Sequence, residues 1–245
     1  MPPYYVIFLI LMVACAVMCA SASAKVNSAY RAYGAMSNSS RMTGYDTAVR
    51  LLRSNGVNDI TVGRVRGHLT DHYHPTKKVV NLSDSVYGDT SIAAVAVAAH
   101  EIGHVMQKKK GYAFYQLRTI LVPITNIGSR LALPLVLIGL LLDMFVGLNQ
   151  TTDAGFYVAL TGVALYGLST LFTFVTLPVE LNASKRAKQM LLETGILRQE
   201  EIPYADKMLD AAAKTYVASM VTSLVYFLRF ALWVMMIFGG RSRRD

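Results

Sequence analysis

The sequence predicts a mostly α-helical integral membrane protein that carries a small β-sheet. Hydrophobic residues make up 53% of the chain and charged residues only 16%, and the mean hydropathy is +0.38. The apolar residues gather in long runs, each near the roughly 20 residues that cross a hydrocarbon core. We therefore expect about four transmembrane helices, at residues 4–24, 131–147, 155–177 and 217–238.

The runs divide the chain into five predicted parts. Residues 113–130 contain two helix-breaking residues, Pro123 and Gly128, together with Arg130, which favours an interfacial segment over a span. Pro178 is expected to end the third run, because proline interrupts a helix. The parts are an N-terminal transmembrane anchor (1–24), a first water-facing region (25–116), an interfacial segment with a transmembrane hairpin (117–178), two amphipathic helices (179–215), and a transmembrane segment with a basic tail (216–245).

The N-terminal run could be a cleaved signal or a retained anchor. Ala22, Ser23 and Ala24 stand before Lys25 as at a signal-peptidase site. However, no basic residue precedes the run, as one would in a secretory signal. Cleavage would also export a cationic segment, against the positive-inside tendency. We expect a retained anchor.

The charge of +9 indicates membrane topology and not nucleic-acid binding, because no basic stripe interleaved with aromatic residues occurs. Counting Arg118 at its edge, 25–116 together with 179–215 holds 19 of the 24 Lys and Arg residues. The turn near 143–155 holds none. We expect a multi-pass protein of the cell membrane with both water-facing regions in the cytoplasm. A full fourth span would leave the tail outside, whereas Arg229 near its middle allows a tilted or re-entrant segment.

Within 25–116 the periodicity predicts two helices and two strands. A helix over 45–52 ends at Asn55 and Gly56, and alternation predicts a strand near 60–65. A second strand follows over 78–82, with an edge that could pair with an extended peptide. The next helix covers 91–109, with Ser83, Asp84, Thr90 or Ser91 as its N-cap.

Two histidines four residues apart define the candidate site. On a helix His100 and His104 point to one side and can reach one zinc ion at about 2.0–2.1 Å. Glu101 stands at the margin of that face and can take a proton from a zinc-activated water, as in H-E-x-x-H peptidases. Solvated surface histidines are the alternative, but the apolar flanks indicate a buried helix. Gly103 indicates close approach of another element.

A catalytic zinc normally has three protein ligands, so a third one is required. Glu180 is one candidate, because the hairpin over 131–177 returns the chain to the membrane side of His100. The same carboxylate could instead be an ordinary helix-start residue. Other candidates lie in the preceding loop: His68, Asp71, His72 and His74.

Four segments resemble one known family. They are "HLTDHYHP", "AAVAVAAHEIGHVMQ", "LVPITNIGSRLALPLVLIGLLL" and "LPVELNASKRA". In this order they are similar to the YugP-type membrane-bound neutral zinc metallopeptidases, and more distantly to gluzincins of the HtpX and CAAX-protease type. The resemblance implies a zincin-like helical catalytic domain with one zinc per chain, held by His100, His104 and Glu180, and Glu101 as general base.

The chain departs from the pattern at three positions. Ser184 stands where distant relatives have an aspartate that orients a zinc-bound histidine. His74 and Asn182 occupy positions where aspartate is expected in close relatives. His74 could hydrogen-bond an oxyanion or be a surface residue.

The predicted function is that of a membrane-bound zinc metalloendopeptidase acting on peptides or proteins, including membrane proteins. One alternative is a non-hydrolytic membrane protein with a structural zinc site, which would need a fourth ligand from His68, His72 or His74. The other is a small transporter, suggested by charges in or near the apolar runs: Arg130, Asp143 and Arg229.

Overall fold

The computed structural model describes residues 3–146 and 154–239. The hairpin turn around 147–153 and the basic tail (241–245) lie outside the described residues. In chain order the elements are α1 (Pro3–Gly34), α2 (Gly44–Ser54), β1 (Thr61–Val65), β2 (His72–His74), β3 (Val79–Ser83), α3 (Asp84–Tyr87), α4 (Ile92–Lys109), α5 (Ala113–Val146), α6 (Ala154–Glu193) and α7 (Ile202–Gly239).

In the described part of the chain, four helices are long and apolar enough to cross a membrane. They cover Tyr5–Gly34, Ala113–Phe145, Ala154–Glu193 and Ile202–Phe238. Together with the small sheet they confirm the prediction of a mostly helical membrane protein. Helix α5 has 34 residues, or about 51 Å of helix, against about 30 Å of hydrocarbon. Helix α5 is therefore longer than one perpendicular span, and the interfacial placement of 113–130 stays a prediction.

Pro178 does not end a helix, contrary to the prediction. Helix α6 continues through Pro178 to Glu193. A proline removes one backbone donor, here the one that would reach the carbonyl of Phe174. Packing against neighbouring elements lets long membrane helices tolerate such a loss, and Val175 and Val179, on either side of the proline, are both buried.

The chain divides into two compact units. The first contains Met1–Cys19, Leu117–Thr176 and Val217–Asp245, and the second contains Ala20–Gln116 and Leu177–Tyr216. In the first unit α5 and α6 approach closely at two glycines. A Cβ added to Gly139 would lie 2.5 Å from the carbonyl oxygen of Gly155, and the reverse substitution meets the same distance. In a membrane, burial from lipid gives apolar helices no hydrophobic driving force to associate. Close packing at small residues such as these holds the helices together instead.

The second unit has a three-stranded sheet, counted over the described residues, in the order β1-β3-β2. Strand β3 pairs parallel with β1, Thr61 opposite Val79, and antiparallel with β2, Tyr73 opposite Val80. Strand β3 is therefore central, and the prediction that residues 78–82 offer a free edge is wrong. Strand β2 lies in the predicted loop. Its three residues are too few to show an alternating pattern.

In the second unit, the helices begin and end at the residues that favour helix termini. Thr43 forms a capping box with Asp46 at the start of α2, and Gly56 after α2 has φ +68°, where glycine is favoured. Of the four residues predicted as N-cap of the next long helix, Ser91 takes this role, and its side chain accepts a hydrogen bond from the Ala94 backbone at 3.1 Å. Gly195 follows α6 with φ +64°, as a helix-ending glycine does.

Candidate metal centre

Helix α4 is the central element of the second unit. Thirteen of its residues besides Glu101 are buried, as expected for a helix that is apolar on all sides. His100 and His104 share one side of this helix, with ring centroids 4.8 Å apart and rings at 90°. A buried imidazole requires a polar partner, and the partners of both rings come from α6 and from α4 itself.

Gly103 allows α6 to approach α4. A Cβ added to Gly103 would lie 2.6 Å from the carbonyl oxygen of Ala183, closer than real Cβ atoms come. The close approach indicated by this glycine in the sequence is therefore confirmed. It places Glu180, one turn before Ala183 on α6, opposite the two histidines.

Three ligand-type side chains converge at this crossing. Nε2 of His100 lies 3.2 Å from Oε2 of Glu180, and Nε2 of His104 lies 3.5 Å from the same oxygen. One ligand atom from each residue lies within 4.8 Å of the other two. Tetrahedral zinc with bonds of about 2.0–2.1 Å separates neighbouring ligands by about 3.3 Å. Two imidazole nitrogens and a carboxylate at these distances fit a zinc ion.

The other nitrogen of each imidazole has its own partner. Nδ1 of His100 lies 3.1 Å from Oγ of Ser184, and Nδ1 of His104 lies 3.0 Å from Oε1 of Gln107. A metal on Nε2 leaves the proton on Nδ1, which then donates to these oxygens and fixes the ring. Ser184 thus contacts one of the two histidines from the position where distant relatives have an orienting aspartate.

Gln107 links both helices that carry the three ligand-type residues. Its Nε2 donates to the carbonyl oxygen of Val179 at 2.7 Å and to Oδ1 of Asn182 at 3.1 Å. Arg186 donates to the same Asn182 oxygen at 2.7 Å. Gln107 is not among the residues predicted from the sequence. The available signal was its position, three residues after His104 in an otherwise apolar helix, where both side chains share a face.

Glu101 is buried beside this group, with 7% of its surface exposed. Burial is the main cause that raises the pKa of Glu101 to about 7. The negative charges of Glu180 and Asp71 raise this pKa further, whereas the charge of His100 lowers it. A hydrogen bond with the Tyr73 backbone also lowers the pKa. A carboxyl with a pKa near neutrality can both accept and release a proton under physiological conditions.

The competing ligand candidates have other partners. Asp71 accepts hydrogen bonds from the backbone and hydroxyl of Ser83, and Nδ1 of His74 accepts from the Lys77 backbone at 3.2 Å. His68 packs edge-on against Tyr30, and His72 contacts the Thr70 carbonyl and Asn81. In the part of the chain that the structure describes, the group able to hold a metal contains His100, His104 and Glu180 and none of these four.

Comparison with known proteins identifies the family. Residues 7–236 match the family model described as "Putative neutral zinc metallopeptidase". The chain belongs to this family. It is also 42% identical over 220 residues to "Putative membrane protease YugP" of Bacillus subtilis (strain 168), which covers 89% of this chain and 91% of that protein. No solved structure matches the chain. The family match confirms the resemblance seen in the four sequence segments.

Proposed function

We propose that this member of the neutral zinc metallopeptidase family is a membrane-bound endopeptidase that hydrolyses peptide bonds with one zinc ion per chain. The observation that supports it most is the convergence of His100, His104 and Glu180 on one point beside the buried Glu101. Two neutral imidazoles and one carboxylate are the ligand set of a hydrolytic zinc site with an open fourth position.

The residues around the proposed ligands have two roles in hydrolysis, proton transfer and positioning of the histidine rings. When bound, zinc polarises the scissile carbonyl and lowers the pKa of water toward 7. Glu101 accepts the proton of the attacking water on its carboxylate, and later donates it to the leaving amine nitrogen as the C–N bond breaks. Ser184 and Gln107 hold the two rings in the tautomer that leaves Nε2 free for metal.

Strand β2 is the best candidate for guiding the substrate. It is an edge strand of the sheet, it contacts α4, and the Tyr73 backbone is near enough to Glu101 to lower the pKa of its carboxyl. An extended peptide laid along this edge would therefore pass the proposed base. The substrate is then a peptide or an unfolded protein segment that can adopt strand conformation.

A structural zinc site remains the rival function, and one experiment separates the two. The full-length protein is purified in detergent, its zinc content is measured, and it is incubated with a broad peptide library before and after removal of metal by a chelator. We expect about one zinc per chain and cleavage that stops without metal and returns when zinc is restored. Stoichiometric zinc with no cleavage of any peptide would favour the structural site.

We expect Gln107 to affect zinc affinity through its contact with His104, one of the proposed ligands. Gln107→Met keeps the volume but removes the acceptor of His104. We expect zinc affinity to fall about 10- to 100-fold, the usual cost of losing a partner behind a metal ligand. Affinity is measured by competition with a chelator. Gln189→Met, an exposed position on α6, is the matched control. Equal affinity in the Gln107 and Gln189 variants would show that Gln107 has no role in positioning His104.

We also propose that both water-facing regions lie in the cytoplasm, because 19 of the 24 cationic residues lie in or directly beside them. Single cysteines at Lys110, Gln189 and Asn149, in a chain without Cys15 and Cys19, test this topology with an impermeant thiol reagent. Lys110 and Gln189 are exposed. We expect labelling of intact cells at 149 alone, with 110 and 189 labelled after permeabilisation. Labelling at 110 and 189 in intact cells would place the metal centre outside the cytoplasm and favour a cleaved signal. A cysteine at Ser242 reports the side of the tail.

A further inference from the structure

Arg229 lies deep in an apolar helix. It is the one charged residue of the run 217–238. It stands about 18 Å along α7 from Val217 and about 14 Å from Phe238 at 1.5 Å per residue. A run of this length spans the hydrocarbon core, so Arg229 lies near its middle. Helical side chains lean toward the N-terminus of their helix, which brings the guanidinium closer still to the midpoint.

Among the residues that the structure describes, no carboxylate contacts this charge. Among the described residues the polar contact of Arg229 is with Sδ of Met12, a weak acceptor, and its side chain is exposed. A guanidinium keeps its charge in proteins, and an unneutralised charge in hydrocarbon is costly enough to mark a functional position. The side chain therefore requires a partner from outside this part of the chain.

Arg229 is one of the residues that line a groove. Helices α1, α5 and α7 of the first unit line a space of about 640 Å³, with Phe8, Leu133, Phe230 and Trp233 among its walls. Several wall residues are open to the lipid, including Leu9 at 62% and Met236 at 50% exposure. The site thus combines apolar and aromatic walls with one cation.

We infer that this groove binds a transmembrane helix of a partner or substrate protein that carries an aspartate or glutamate near its middle. The apolar walls fit the side chains of a lipid-embedded helix, and the carboxylate would neutralise Arg229. A phospholipid phosphate fits less well, because headgroups lie outside the roughly 30 Å core whereas Arg229 is near its centre. This inference does not depend on the proposed zinc chemistry.

Synthetic helices test the inference. The full-length protein, carrying a fluorescent donor, is reconstituted in phosphatidylcholine vesicles with acceptor-labelled oligoleucine helices that have Glu, Lys or Leu at the centre. Energy transfer gives the association constants. We expect the Glu helix to bind at least about fivefold more tightly than the Leu helix, the scale of polar contacts between membrane helices. Arg229→Leu should abolish this preference, and Arg229→Glu should transfer it to the Lys helix.

Arg130→Leu is the matched control, since Arg130 is an exposed arginine of α5 that does not line the groove. This variant should keep the wild-type preference for the Glu helix. The inference is overturned if wild type binds the three helices equally, or if Arg229→Leu keeps the preference. It is also overturned if phosphatidylglycerol displaces the Glu helix, which would identify the groove as an anionic lipid site. Circular dichroism of each variant confirms that the fold is retained.

Discussion

Glu101→Gln should abolish peptide hydrolysis while leaving zinc bound. The amide has nearly the shape of the carboxyl group, and Glu101 is not one of the three residues proposed as ligands. The variant loses the group that we propose accepts the proton of water and returns it to the amine. We expect turnover to fall at least about 10²-fold, the lower range for loss of a general base, with KM nearly unchanged. The measurement is cleavage of the best library peptide at saturating zinc.

The control for this variant is Glu200→Gln, which makes the same substitution at an exposed glutamate. It should keep full activity and zinc content. Near wild-type turnover in Glu101→Gln would exclude Glu101 as the base and would make Asp71 the next carboxylate to test. Loss of zinc in Glu101→Gln would instead indicate a structural or ligand role for this carboxylate.

The candidate site residues that share one helix could be predicted from the sequence. His100, Glu101 and His104 share α4, so helical geometry alone relates their positions. Gly103 indicated the close crossing of α6, because a glycine inside a helix costs about 1 kcal/mol and needs a reason. Glu180 lies 76 residues after His104. Sequence spacing alone left Glu180 as one of several candidates for the third ligand. Only the resemblance to the metallopeptidase family favoured Glu180 over the others.

The hydrogen-bond partners of the two histidines could not be predicted from the sequence. Ser184 replaces an aspartate that orients a zinc-bound histidine in distant relatives, and its hydroxyl lies 3.1 Å from Nδ1 of His100. The position of Gln107, three residues after His104, was a local signal, but its contacts with Val179 and Asn182 join residues that are distant in sequence. Both contacts exist only once α4 and α6 pack together, and no local pattern encodes that geometry.

The fold errors have a similar origin. Pro178 is a strong local stop signal, but burial of Val175 and Val179 keeps α6 helical through it. Strand β3 showed its β-propensity in the sequence, but propensity does not distinguish a central strand from an edge strand. The three residues of β2 complete the sheet and take the edge that was assigned to β3.

Glu180→Ala should remove zinc from the protein. Its carboxylate oxygen lies 3.2 Å and 3.5 Å from the two histidine nitrogens, and 2% of Glu180 is exposed, so water or another side chain cannot easily replace it. Loss of the proposed third ligand should weaken zinc binding by more than the roughly 100-fold upper range for losing a residue behind a ligand. At micromolar free zinc, metal content per chain should fall close to zero in this variant.

His72→Ala and His74→Ala are the matched controls, because both were ligand candidates and both lie on β2. They should retain full zinc content. Glu180→Gln distinguishes loss of the anionic ligand from loss of packing: it keeps the volume, so it should lose zinc while its thermal unfolding without metal matches that of wild type. Full occupancy in Glu180→Ala together with zinc loss in either histidine variant would overturn the assignment. The metal would then be bound by β2 and α4, and the close crossing at Gly103 would serve packing alone.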